Sequence, residues 1–118
     1  MTAPTQLWFN PRCSKARATK ALLEDRHEPI QLIDYQATPP TRTQLDTLMQ
    51  QLGIDDPREM MRPKEAAYAE LHLADATREA LLDAITTHPI LLERPIVVRG
   101  DRAVIARPPE KLAELFES

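Results

Sequence analysis

Cysteine is almost absent from this chain of 118 residues: Cys13 is the single one, which excludes an internal disulfide and a cysteine-rich metal site. A lone thiol suits a reducing compartment. Glycine is nearly as scarce, with only Gly53 and Gly100. Two glycines cannot build a glycine-rich phosphate loop of the dinucleotide-binding kind. Any anion must then be held by a helix end and by Arg side chains. Aromatic residues make up 4% of the chain, so the core must be mostly Leu, Ile, Val, Met and Ala. No apolar run approaches the length of a membrane span. Residues 1–6 lack the basic region and long apolar stretch of a signal peptide. The net charge of −3 gives no global argument for binding nucleic acid or a membrane. These absences point to a soluble cytoplasmic protein, one domain over residues 1–118, expected to act as a monomer.

Proline, by contrast, is plentiful at 11 residues and punctuates the chain. Residues 6–9 read as a short strand, and Asn10-Pro11-Arg12 as a turn, because proline fixes φ and pushes the residue before it away from helix. Residues 14–26 read as a helix, with Ala18, Ala21, Leu22 and the neighbourhood of His27 on its inner face. Residues 30–34 read as a second strand. A strand, a helix and a strand in so short a stretch form a βαβ unit with parallel strands. After Pro39-Pro40, Thr41 with Gln44 three residues on has the pattern of a capping box. Leu45, Leu48, Met49 and Leu52 follow at helical spacing, and Gly53 fits the stop. Asp56-Pro57 opens another helix, expected to run through Met60, Met61 and Arg62. Thr77 starts a further helix carrying Ala80, Leu81, Leu82 and Ile85. Residues 95–98 and 103–105 pair as a hairpin across the turn Arg99-Gly100-Asp101-Arg102, and Pro108-Pro109 opens a last helix with Leu112, Leu115 and Phe116. The order is βαβ, helices, ββα. This is an α/β chain on the thioredoxin-like plan, with an all-helical insertion at about residues 41–88.

Cys13 sits where the first strand gives way to the first helix. A helix N-terminus offers unpaired N–H groups and the positive end of the macrodipole. Arg12, Lys15 and Arg17 surround the thiol. Such surroundings can lower a cysteine pKa from about 8.5 to roughly 3.5–7.5. A lone cysteine is more often a buried structural residue; its position and three flanking cations favour a reactive one. The histidines His27, His72 and His88 are not at metal-ligand spacing, so no metal is expected. Met49, Met60 and Met61 read as core filling.

The segments NPRCSKAR at 10–17, MRPKEAAYAEL at 61–71, HPILLERPIVV at 88–98 and ARPPE at 106–110 resemble the ArsC family. This family comprises glutaredoxin-coupled arsenate reductases and close relatives. The resemblance runs from residue 6 to residue 116. It implies a thioredoxin-like fold with a helical insertion and makes Cys13 the nucleophile. It also implies that Arg62, Arg94 and Arg107 hold the arsenate oxyanion, that Asn10 orders the loop, and that Arg17 occupies a basic position. In thioredoxin-like folds a cis proline stands beside the cysteine, so the Arg94–Pro95 peptide is expected to be cis. Two positions depart from the pattern: some members carry a His where this chain has Phe9, and others a hydroxyl residue where it has Ala16.

Guanidinium groups suit this chemistry, since each donates a planar pair of hydrogen bonds to an oxyanion and stays charged. The resemblance implies attack of Cys13 on arsenate, followed by glutathione and then glutaredoxin. A chain with one thiol cannot resolve its own adduct, so external thiols must complete the cycle. No bound cofactor is expected, with glutathione acting as co-substrate. Two alternatives stay open. One is a glutathione-dependent thiol oxidoreductase with another substrate. The other is an Spx-like regulator that binds RNA polymerase; Cys13-Ser14-Lys15-Ala16 has no second thiol, so it would work without a disulfide switch.

Overall fold

Strand β1 (Thr5–Phe9) alternates between two buried faces: Leu7 is sealed on one, and Trp8 on the other. A computed structural model of the protein describes residues 4–10 and 15–116, apart from the side chain of Lys15. Cys13, Arg12 and the turn expected at Asn10-Pro11-Arg12 thus lie wholly or partly outside the described residues. Helix α1 (Lys15–Asp25) leads to strand β2 (Ile30–Asp34), which runs parallel to β1 in register from Thr5 opposite Ile30 to Phe9 opposite Asp34. Strand β3 (Ile96–Arg99) lies antiparallel on the other side of β1, and β4 (Arg102–Ile105) pairs antiparallel with β3. The sheet order is β2-β1-β3-β4. The hairpin turns at Gly100, whose φ of 63° is the left-handed value that glycine adopts without a Cβ clash. This is the βαβ and ββ arrangement that the sequence pattern implied.

Two apolar layers cover the sheet. Leu7 and Val97 pack with Leu23 of α1 and with Leu112 and Leu115 near the C-terminus. Trp8, Ile96 and Val98 face the larger layer, built from α2 (Arg42–Leu52) and α4 (Arg78–Thr87) with Met60, Leu91 and Leu92. The capping box at α2 forms as the sequence implies: Thr41 Oγ1 accepts from Gln44 N–H, and Gln44 Oε1 accepts from Thr41 N–H. Gly53, at φ 72°, closes the other end, with Gly53 N–H donating to Gln50 O and Ile54 N–H to Met49 O. Arg42 joins α2 to α4 through Glu79 and Asp83. Its hydrogen bonds to Glu79 and then Asp83 hold its guanidinium pKa above the ordinary value.

Four local expectations change. On α1 the buried residues are Thr19 and Leu23, while Ala18 and Ala21 are exposed and Leu22 is half-buried. An alanine carries too little apolar surface to choose a face. The helix expected through Arg62 is a single 3₁₀ turn, Pro57–Met60. Met61 turns extended and forms an isolated antiparallel bridge with Leu92, so the insertion is not wholly helical. It also holds a short helix, α3 (Ala66–Glu70). The last helix is 3₁₀ over Pro109–Phe116, a winding in which Leu112 and Leu115, three apart, fall on one stripe.

Helix α1 ends without a glycine. His27 N–H donates to Glu24 O and Glu28 N–H to Leu23 O, the paired bonds of a Schellman cap, with His27 at φ 57°. An L residue there brings its Cβ too close to the following carbonyl oxygen. His27→Gly is expected to raise stability by about 0.5–1 kcal/mol, read as a higher urea midpoint with unchanged m value. His27 is exposed, so no buried contact is lost.

Candidate active site

Strand register brings three strand ends to one end of the sheet. Trp8 faces Ile96, and Ile96 faces Ile105. The C-terminal end of β1, the start of β3 and the end of β4 therefore lie side by side. Asn10 follows β1 there and is buried at 4% exposure. Arg94 and buried Pro95 lead into β3, and Arg107 follows β4. Ala106 N–H donates to Pro95 O at 2.9 Å, which ties the approach to β3 to the exit from β4. The Arg94–Pro95 peptide is cis, as expected, and so is Arg107–Pro108, which the sequence reading did not single out.

Arg62 arrives from the insertion. The bridge between Met61 and Leu92 is closed by Arg62 N–H donating to Leu91 O at 2.7 Å and Glu93 N–H donating to Met60 O at 2.8 Å. Tyr35, fully buried after β2, donates its hydroxyl to Leu92 O at 3.4 Å. These bonds pin the segment holding Arg62 against the one holding Glu93 and Arg94. The Arg62 guanidinium donates from Nε to Glu65 Oε1 at 3.1 Å and lies 3.8 Å from Glu93 Oε1 through Nη1.

Arg62, Pro63, Lys64, Glu93 and Arg107 line one pocket of about 270 Å³. The structure thus brings together two of the three arginines singled out in the sequence. Arg94 adjoins this pocket through the chain, with its Nε and Nη1 shut off from solvent, but does not line it. The Arg107 backbone N–H donates to Ile105 O at 2.9 Å, while its guanidinium makes no hydrogen bond or ion pair with another described residue. Arg17 is exposed on α1 and pairs with no described residue. Cys13, Arg12 and the Lys15 side chain are outside the described residues.

Lys64, Glu65 and Glu93 were not singled out from the sequence. Lys64 and Glu65 stand within the segment that resembles the family, two and three residues after Arg62, so spacing alone could have raised them. Glu93 also stands in a family-like segment, directly before Arg94, but only the bridge sets it opposite Arg62.

Among the described residues, three cations against one carboxylate give the lining of this pocket a net positive charge. Each charge-assisted hydrogen bond contributes about 1.5–3 kcal/mol, so several must converge to hold an oxyanion against water. A second pocket, between β1 and α2, is lined by Gln6, Trp8, Tyr35, Gln44 and Gln51 among others, with no charged side chain among the described residues. It offers an anion no such counter-charge. Among the described residues no group of His, Cys, Asp and Glu is placed to hold a metal ion.

Comparison with known proteins agrees with this architecture. The family model described as the ArsC family matches residues 8–115. The uncharacterized protein YfgD of Escherichia coli K12 is 43% identical over 117 residues, covering 98% of each chain. An arsenate reductase of Haemophilus influenzae is 43% identical over 113 residues, covering 93% of this chain and 97% of that one. The solved structure of an arsenate reductase from Vibrio cholerae superposes with a TM-score of 0.91 at 44% identity, covering 97% of this chain and 98% of that one. By the family match and by the near-complete coverage of these relatives, this chain belongs to the ArsC family.

Proposed function

We propose that this protein reduces arsenate to arsenite, with Cys13 as nucleophile and glutathione and glutaredoxin as the external thiols. The observation that carries the proposal is the convergence of Arg62 and Arg107 on one pocket, at the end of the sheet from which the chain runs on from Asn10 to Cys13. Relatives named arsenate reductase support the substrate.

In this reading Arg62, Arg94 and Arg107 bind the oxyanion and offset charge on the attacking sulfur and the departing oxygen. Asn10 and Pro95 set the loop and the start of β3. Arg12, Lys15 and Arg17 favour the thiolate. The Cys13 thiolate attacks arsenic, an As–S bond forms, and an arsenate oxygen leaves as water. Glutathione adds at arsenic by the same displacement. Attack of a glutaredoxin thiolate on the glutathione sulfur then forms a mixed disulfide. Two electrons pass to arsenic and As(V) becomes As(III); water then displaces the Cys13 sulfur from arsenic, so that the As–S bond breaks, arsenite leaves and the Cys13 thiolate is restored. Two thiol sulfurs are oxidised for each arsenic reduced, so the electrons balance. The protein acts as a monomer in a reducing, cytoplasmic setting and needs no metal or bound cofactor.

Purified protein mixed with arsenate, glutathione, glutaredoxin and glutathione reductase should consume NADPH in an arsenate-dependent manner. Absence of arsenate-dependent consumption, with rapid alkylation of Cys13 below the ordinary thiol pKa, would instead favour the second reading. That reading is a glutathione-dependent thiol oxidoreductase with another substrate. Phe9 and Ala16 speak for it, since they remove an imidazole and a hydroxyl from the vicinity of the thiol.

A further inference from the structure

Among the described residues the cationic pocket holds one carboxylate, Glu93, whose only ion pair is the long one to Arg62. Glu65 already orients Arg62, accepting from Nε at 3.1 Å, and it does so without lining the pocket. Glu93 does line it. Its side chain is only 25% exposed, and its ion-pair partner among the described residues, Arg62 Nη1, lies at 3.8 Å, beyond hydrogen-bond reach. No other described residue donates to it. A carboxylate is an acceptor only, with about four lone-pair positions. Facing a fully ionised oxyanion, it repels. Facing an oxyanion that keeps a proton on oxygen, it accepts a short charge-assisted O–H···O bond.

We propose that Glu93 is a specificity-determining residue that selects oxyanions bearing an O–H group. Arsenate and phosphate keep at least one such proton near neutral pH, and sulfate keeps none. All three share size and tetrahedral shape, so Arg62, Lys64 and Arg107 alone cannot tell them apart. Glu93 does so by rewarding one class with a hydrogen bond and meeting the other with an unpaired negative charge. This inference rests on the oxyanion reading above and adds the rule by which the site chooses.

Isothermal titration of the reduced full-length protein with sodium phosphate, arsenate and sulfate, at constant ionic strength and neutral pH, tests it without any turnover. Phosphate and arsenate should bind about tenfold or more tightly than sulfate, the scale of one charge-assisted bond gained or lost. Glu93→Gln should bring sulfate to within about threefold of phosphate, because the amide can donate to either anion. Equal binding of phosphate and sulfate by the unaltered protein would overturn the selection by Glu93 and leave the oxyanion site standing. An unchanged ratio in a folded Glu93→Gln protein would do the same. Failure of all three anions to bind would overturn the oxyanion reading itself, and the selection with it.

Discussion

Cys13→Ser is expected to abolish arsenate-dependent NADPH consumption, with a loss on the order of 10³-fold or more, as for removal of other covalent nucleophiles. A serine hydroxyl stays protonated at neutral pH, and the one carboxylate among the described pocket side chains, Glu93, is far too weak a base to generate an alkoxide. The electrostatics that favour a thiolate cannot bring a hydroxyl of far higher pKa to ionise. Binding should behave differently from chemistry. The pocket arginines belong to the insertion and to the chain after β4, not to the cysteine segment. The serine variant should therefore hold phosphate with nearly unchanged affinity while turnover disappears. Full coupled activity in Cys13→Ser would sink the nucleophile assignment. Loss of both activity and anion affinity would mean that the thiolate itself helps to build the pocket.

Much of the fold was legible because short signals each carried a local physical cause. Thr41 and Gln44 satisfy one another's backbone groups whatever packs around them. Gly53 and Gly100 occupy left-handed positions that disfavour a Cβ. The parallel pairing of β1 with β2 follows from chain order and crossover length. What escaped was set by tertiary contacts. The rotation of α1 is fixed by Leu23 meeting Leu7 and Val97, whereas the alanines on its surface gave no preference. Met61 reads as the continuation of a helix, yet its pairing with Leu92 pulls it extended. That one bridge decides the site, for it converts Arg62 from a residue on a helix into a partner of Glu93. The arginines were legible by resemblance. Their carboxylate companions were not, since Glu93 meets Arg62 only after the insertion has folded back.

Leu92→Ala is expected to destabilise the protein by about 2–5 kcal/mol and lower the melting temperature by roughly 10 °C or more. Leu92 is fully buried in the layer formed by Trp8, Tyr35, Met60 and Ile85, so truncation leaves a cavity as well as losing transfer energy. A purely structural role would end there. Leu92 also stands between the two carbonyl–amide bonds that close the bridge, and its own carbonyl accepts from Tyr35. Loosening this strand pair should let the Arg62 segment drift relative to Glu93 and Arg107, because no other element joins them directly in the bridge. Phosphate affinity should fall severalfold in Leu92→Ala under conditions where the protein is still folded. Leu48→Ala is the control. Leu48 is equally buried in the same layer but sits on α2, away from the bridge. It should cost a similar amount of stability and leave phosphate affinity nearly unchanged. If both variants weaken anion binding alike, the pocket responds to global softening, and the bridge has no special hold on Arg62. If Leu92→Ala alone weakens it, the position of Arg62 is transmitted through two backbone hydrogen bonds from a residue that never touches the ligand.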